Sequence, residues 1–580
     1  MSAEQIEKLR QLRDSERVDV PDISIIEHAS ADNVILGIQF DFGSTNLKAV
    51  LTDDRGQTVG AYSISVSDCF ENHGLVNTQR YSQIYIHLLE TVFKENCQFE
   101  KLQYISYMGF YPSLQINNTQ NETLQQYGFS YATMLGLQAA RELSTRENFY
   151  PATRQIPPMP SGTPEVLEVL LKSTVSETVS EIDGSLSELT FDELLQYLAY
   201  LLQAEDIASL QLDGIPHAIT SLLATDNLSI SSPELQYMGI VNANGESMLS
   251  DDITTTHPTI AESNTLLGLI SPEALNLIAP KINFVNKVQI ISGAIDGPAI
   301  HWITDIRLSG GTTAVASKRA NQQPYLDKKD SIWALKYAKD DWRFGLAANA
   351  MGGAYTNLIW NEAWKTMIQP KQEGAYSEFF NQFNRTGKDG VENRPAFFAN
   401  VCRATQNALE QNELQESLPT VGVLISSPGR DGSGPKELGI YGEHNNGFPE
   451  DPRLLVYLIA EEGVFAARRA IEMLERVSGE TMDNIITLGI YADSPLVREL
   501  LLTFMNKKTF NEVMFDGETI SQPNMLGLTV ASLTTLGRGD LVDELLNKVS
   551  YQALELNVSL NIDQHVLEKR YELYCKQFEI

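Results

Sequence analysis

The chain has 580 residues, too many for one hydrophobic core, so at least two domains are expected. Hydrophobic residues make up 43% and charged residues 20%, the balance of a globular protein. The net charge of −32 argues against a nucleic-acid partner or an anionic membrane partner, because both would be repelled. Four cysteines, Cys69, Cys97, Cys402 and Cys575, lie far apart without paired spacing. Neither a zinc site nor a disulfide framework is expected, and free thiols suit a reducing compartment. The segment Met1 to Asp19 lacks the apolar core of a signal peptide, and no apolar run is long enough to span a membrane. A cytoplasmic protein is expected.

In chain order, residues 1–32 read as an arm outside the main fold: a charged helix from Glu4 to Arg17, then a Pro-containing linker. The apolar run Val34 to Phe40 predicts a buried strand that delivers Asp41 into the turn Gly43-Ser44-Thr45. Leu47 to Thr52 predicts the returning strand, with Asp53-Asp54-Arg55-Gly56 as a turn and Thr58 to Val66 as a third strand. Residues 79–98 have helical spacing at Tyr81, Ile84, Leu88, Val92 and Phe93, and Leu102 to Phe110 is a further strand. Gln115 to Gln126 reads as a polar loop. Residues 152–214 combine Pro157, Pro158, Pro160 and Pro164 with acidic helical patterns such as Phe191 to Leu202. They read as an elaboration of the first domain, centred on about 155–215.

A second block begins near Lys287. Val288 to Ile291 predicts a strand running into the small-residue turn Ser292-Gly293-Ala294-Ile295-Asp296-Gly297. Ile306 to Ser309, Gly310-Gly311-Thr312-Thr313 and Ala314 to Ala316 then repeat the opening design of strand, Gly-hydroxyl turn and strand. Ile485 to Leu488 is a short strand, and helical patterns fill Glu450 to Gly479 and Val542 to the end. The alternation predicts an α/β class. The repeated hairpins predict two similar domains across a cleft, divided here as 33–290 and 291–580.

A glycine lets the backbone approach a phosphate, hydroxyls and amides bond its oxygens, and a carboxylate holds Mg²⁺ through water. An ordinary hairpin turn containing an Asp is the alternative for the first tip alone. Phosphoryl transfer from a nucleotide needs little beyond two such tips, a metal and a base for the attacking hydroxyl. No Walker loop, Gly-x-Ser-x-Gly elbow or His-Glu-x-x-His site is present.

The run Asp41-Phe42-Gly43-Ser44-Thr45-Asn46-Leu47-Lys48 resembles the first phosphate motif of the FGGY carbohydrate kinases, members of the actin and hexokinase superfamily. Ser292 to Ala299 is similar to that family's Gly-x-x-Asp segment, and Leu308 to Thr313 to its second phosphate motif. Ala350-Met351-Gly352-Gly353-Ala354 with Asn357 resembles its next nucleotide-contacting segment. The similarity runs over about residues 34–576. It implies two ribonuclease-H-like (actin-like ATPase) domains facing across a nucleotide and substrate cleft, using ATP and Mg²⁺. Asp41 would organise the metal, Gly43, Ser44 and Thr45 the γ-phosphate, and Gly311, Thr312 and Thr313 the other phosphates. Asp296 would be the base that takes the proton from a hydroxyl of a sugar or polyol. A homodimer stays open.

The chain departs from that family in three places. The adenosine motif, glycine-rich in relatives, reads Gly489-Ile490-Tyr491-Ala492-Asp493-Ser494. Gly489, Ala492 and Ser494 keep the pattern, while Tyr491 either stacks on a base or fills the pocket. The sugar segment reads Ser106-Tyr107-Met108-Gly109-Phe110-Tyr111, with aromatics where relatives carry polar groups. The stretch from Asp296 to Gly311 is also shorter than in relatives. A non-catalytic relative serving as a sensor or interaction protein is therefore the alternative to a kinase.

Overall fold

The structure is a computed structural model that describes residues 6–7, 10–11, 20–30, 32–43, 45–70, 75–95, 98–109, 113–117, 127–130, 209–212, 230–231, 260–261, 266–282, 284–295, 298–310, 314–320, 333–336, 342–347, 354–386, 394–426, 438–442, 447–520, 522–557, 560 and 562–578. Most of the expected arm helix, the Pro-rich segment and the helix Phe191 to Leu202 lie outside these residues. The chain forms two compact units. One comprises Met1–Ile303, Ala334–Arg343 and Ile520–Val549, the other Thr304–Trp333, Phe344–Thr519 and Ser550–Ile580. The expected cut at 290–291 falls inside a strand of the first unit, and Ile520–Val549 returns to that unit.

The first unit is built on a seven-stranded sheet of β1 (Ser24–Glu27), β2 (Ile35–Phe42), β3 (Asn46–Asp53), β4 (Thr58–Ser65), β5 (Tyr104–Gly109), β6 (Leu266–Ile270) and β7 (Val288–Ile295). Its order is β1-β4-β3-β2-β5-β7-β6. The first four strands run antiparallel to their neighbours, then β2, β5 and β7 lie parallel. A strand alternates its faces. Ile38, Phe40 and Phe42 thus join the core under α1 (Thr78–Glu95), whose Tyr81, Ile84, Tyr85, Leu88 and Val92 recur at helical spacing. Phe40 and Tyr85 meet edge to face at 4.9 Å. The turn after β3 forms as expected: Asp53 Oδ1 accepts from Arg55 N (3.0 Å) and Gln57 N (2.9 Å), and Gly56 takes φ +80°.

Three expectations need correction in this unit. Asp41 lies inside β2, paired with Lys48, because the ladder continues to Phe42; the turn proper is shorter. Ser292–Ile295, expected as a turn, continues β7, since β5 offers a parallel partner as far as Gly109. Ser113–Asn117, expected to fall partly in a loop, is a strand of a small antiparallel sheet with Leu75–Asn77, Tyr127–Ser130 and Ser209–Leu212.

The second unit repeats the plan. β8 (Ile306–Gly310) and β9 (Ala314–Ala320) form a hairpin, and β10 (Ile485–Gly489) and β11 (Phe510–Phe515) add parallel strands beside β8. Within this eight-stranded sheet the order is β9-β8-β10-β11-β12, where β12 is Glu518–Thr519. Its main helix is α2 (Pro452–Ser478). Asp451 caps its start, the carboxylate accepting from Arg453 N, and the helix stops at Gly479 with φ +69°.

Beyond β12 the chain enters α3 (Pro523–Thr535) and α4 (Gly539–Lys548), both in the first unit, then β13 (Val549–Ala553) and α5 (Gln564–Lys576). The expected unbroken helical pattern from Val542 to the end is therefore interrupted, because β13 pairs with β11. α3 covers the sheet face of the first unit opposite α1, where Met525 and Leu528 pack with Val50, Met108 and Ala299. Gly527 permits this approach: a Cβ there would lie 2.1 Å from the Ala299 carbonyl oxygen.

Candidate functional site

In the first unit the candidate residues gather at the end of β2. Asp41 is partly exposed, its side chain 19% accessible, with Lys48 Nζ 3.7 Å from Oδ2 across the hairpin. Burial pushes the Asp41 carboxyl above the usual carboxylate range, and Lys48 opposes that shift. The next residue, Phe42, turns into the core and meets Tyr81 at 5.8 Å and Tyr85 at 5.6 Å. Tyr81 donates its hydroxyl to the Gly43 carbonyl (2.9 Å), Gly43 N donates to Asn46 O (3.1 Å), and Val66 N donates to Thr45 O (2.9 Å). A Cβ on Gly43 would sit 2.6 Å from Asn46 O, so only glycine fits this tight tip. Ser44 lies outside the described residues. Among the described residues no group of three or more His, Cys, Asp or Glu is placed to hold a metal.

In the second unit the ends of β8 and β10 carry two glycines in register, Gly310 and Gly489. Gly489 has φ +62°, and a Cβ there would lie 2.2 Å from Gly310 O. Above Gly310 sit Ile490 and Tyr491, whose Cγ2 and ring atoms would be 2.6 and 2.8 Å from a Cβ on that residue. Tyr491 is fully buried and donates its hydroxyl to the Gly463 carbonyl of α2 at 2.8 Å. Of the two alternatives open for this ring, stacking on an exposed base is excluded in this conformation; the ring is part of the core. Ala492 and Ser494 are half-buried, and Asp493 is exposed with its carboxyl raised by partial burial and by Glu512.

Asp296, Gly311, Thr312, Thr313 and Gly353 lie outside the described residues. Asn357 falls in the π-helical segment Tyr355–Trp360, its side chain not described. α3 is not among the helices that the sequence pattern predicts. Its signal was Gly527 inside an apolar helical run, the mark of a close backbone approach.

Among the described residues no helix is long and apolar enough to cross a membrane. No protein-family model and no curated protein matches the chain. Solved structures do match across nearly its full length. A ligand-bound xylulose kinase from Lactobacillus acidophilus aligns with TM-score 0.62 and 16% identity, covering 93% of this chain and 97% of that one. A gluconate kinase from Lactobacillus acidophilus gives 0.61 and 16%, covering 93% and 96%. A Plasmodium falciparum glycerol kinase with ADP gives 0.59 and 11%, covering 93% and 97%. At such identities the likeness speaks for the fold, and the chain has the two-domain α/β, actin-like ATPase fold found in these carbohydrate kinases.

Proposed function

We propose that the protein transfers a phosphoryl group from ATP, with Mg²⁺, to a hydroxyl of a sugar, polyol or related small molecule. The observation that carries this reading is Asp41, a partly buried carboxylate beside the glycine tip at the end of β2, on a fold shared with sugar kinases. A single carboxylate suits Mg²⁺, which keeps several waters and takes the rest of its shell from nucleotide phosphates. Asp41 would hold the hydrated metal, while Gly43, Ser44 and Thr45 approach the γ-phosphate. Gly311, Thr312 and Thr313 would contact the other phosphates, and Gly353, Asn357, Gly489, Ala492 and Ser494 the rest of the nucleotide. The metal supplies charge neutralisation on the phosphates. Asp296 would accept the proton of the attacking hydroxyl. The protein is expected to act in the cytoplasm.

A panel of sugars and polyols screened for ADP release tests this. Asp296→Asn is expected to lower turnover by about 10²–10⁴-fold, the usual worth of a general base. Unchanged turnover would overturn the assignment of the base. A second reading, a non-catalytic relative, is favoured by one observation: Ile490 and Tyr491 crowd Gly310 where relatives carry glycines. Calorimetry with ATP and Mg²⁺ separates the two, since Mg²⁺-dependent binding counts for the kinase.

A further inference from the structure

We propose that the carboxamides of Gln522 and Asn524, at the start of α3, bind hydroxyls of the acceptor substrate. This rests on the kinase reading above. The helix is oriented by its contacts within the first unit. Near its far end Leu533 lies 3.3 Å from where a Cβ on Gly56 would be, at the β3–β4 turn. Near its start Met525 packs with Met108, the register partner of Asp41. The helix therefore begins at the end of the sheet that carries Asp41.

There the atoms Gln522 Oε1 and Asn524 Oδ1, on half-buried side chains, are enclosed with no hydrogen-bond partner within the protein. Two more such atoms, Gln39 Oε1 and Ser106 Oγ, belong to fully buried register partners one strand repeat inward from Asp41 and Met108, where Gln39 Nε2 already donates to Thr52 Oγ1 (2.6 Å) and Tyr104 OH (2.5 Å). A buried acceptor left unpaired costs about 1–3 kcal/mol, so native proteins rarely leave several together unless something bound completes them. Three of the four atoms are carboxamide oxygens, which require donors. A neutral polyol or sugar supplies the hydroxyl donors these oxygens require, and none of the four atoms offers a positive charge to the carboxylate of a sugar acid.

The test compares wild type with Asn524→Leu and Gln522→Leu at saturating ATP and Mg²⁺, over neutral sugars, polyols and sugar acids. Each variant is expected to raise KM for a neutral acceptor about tenfold or more, the worth of one lost buried hydrogen bond. KM for ATP should stay within about twofold and the unfolding midpoint should hold or rise, because an unpaired buried acceptor has been removed. An unchanged acceptor KM, or a fall in midpoint with both KM values raised, would overturn the proposal. If wild type releases no ADP with any compound, the kinase reading fails, and calorimetric titration of the same panel decides the inference separately. Binding of a neutral polyol that Asn524→Leu abolishes supports it; equal binding in both, or none in wild type, overturns it.

Discussion

Tyr491 stands where the proposed nucleotide site would call for a glycine, yet its ring is enclosed and its hydroxyl donates to the Gly463 carbonyl. Restoring the glycine pattern would therefore open a hole in the core. Tyr491→Gly is expected to destabilise the second unit by about 3–5 kcal/mol, the range for emptying an aromatic core site. Tyr491→Phe, which removes one hydrogen bond to a carbonyl that the α2 ladder still engages, should cost about 0.5–1.5 kcal/mol. Denaturant unfolding checks both, and calorimetry should find nucleotide affinity unchanged in Tyr491→Phe. A Tyr491→Phe variant that kept its stability but lost nucleotide binding would return this ring to the nucleotide site. The residue's identity was plain in the sequence; its direction was not, because that depends on Gly463, which sits 28 positions earlier on another element.

At the scale of elements, local pattern made the hairpins readable. Alternation across β2 and β3, a polar turn at Asp53 and helical spacing in α1 are properties of short stretches. What pattern could not reveal were pairings made at a distance, such as β13 on β11 and α3 on the Ala299 carbonyl. α5 is held by another such pairing. Arg570, buried, donates to both oxygens of Glu461 (2.7 and 2.6 Å) and to the carbonyls of Leu418, Val421 and Gly422. Tyr457 adds its hydroxyl to the same carboxylate at 2.8 Å. Arg570→Met would strand the Glu461 charge in the core, and a loss of about 3–5 kcal/mol is expected. Denaturant unfolding followed by tryptophan fluorescence reads it, since Trp360 and Trp364 belong to the same unit. Pairing Arg570→Met with Glu461→Gln should recover part of the loss. A single variant as stable as wild type would remove this ion pair from the account of the fold.

For the whole molecule the dominant bulk property is acidity. A net charge of −32 repels itself most strongly in the compact state. Raising ionic strength from about 0.01 to 0.15 M shortens the screening length from roughly 30 to 8 Å. The calorimetric unfolding midpoint is expected to climb over that interval and then level off. A midpoint that fell with salt would mean that local ion pairs outweigh the general repulsion.

The path of the chain between its units carries a consequence for biosynthesis. Residues 520–549 complete the first unit, and Arg570 ties down the last helix of the second. A chain emerging from the ribosome must be made as far as Val549 before the first unit holds all its parts, and past Arg570 before the second does. Until α3 has been made, the sheet face that Met525 and Leu528 cover lacks its partner. Completion of the first unit thus depends on a segment made long after its sheet, and a truncation anywhere before residue 520 leaves both units unfinished.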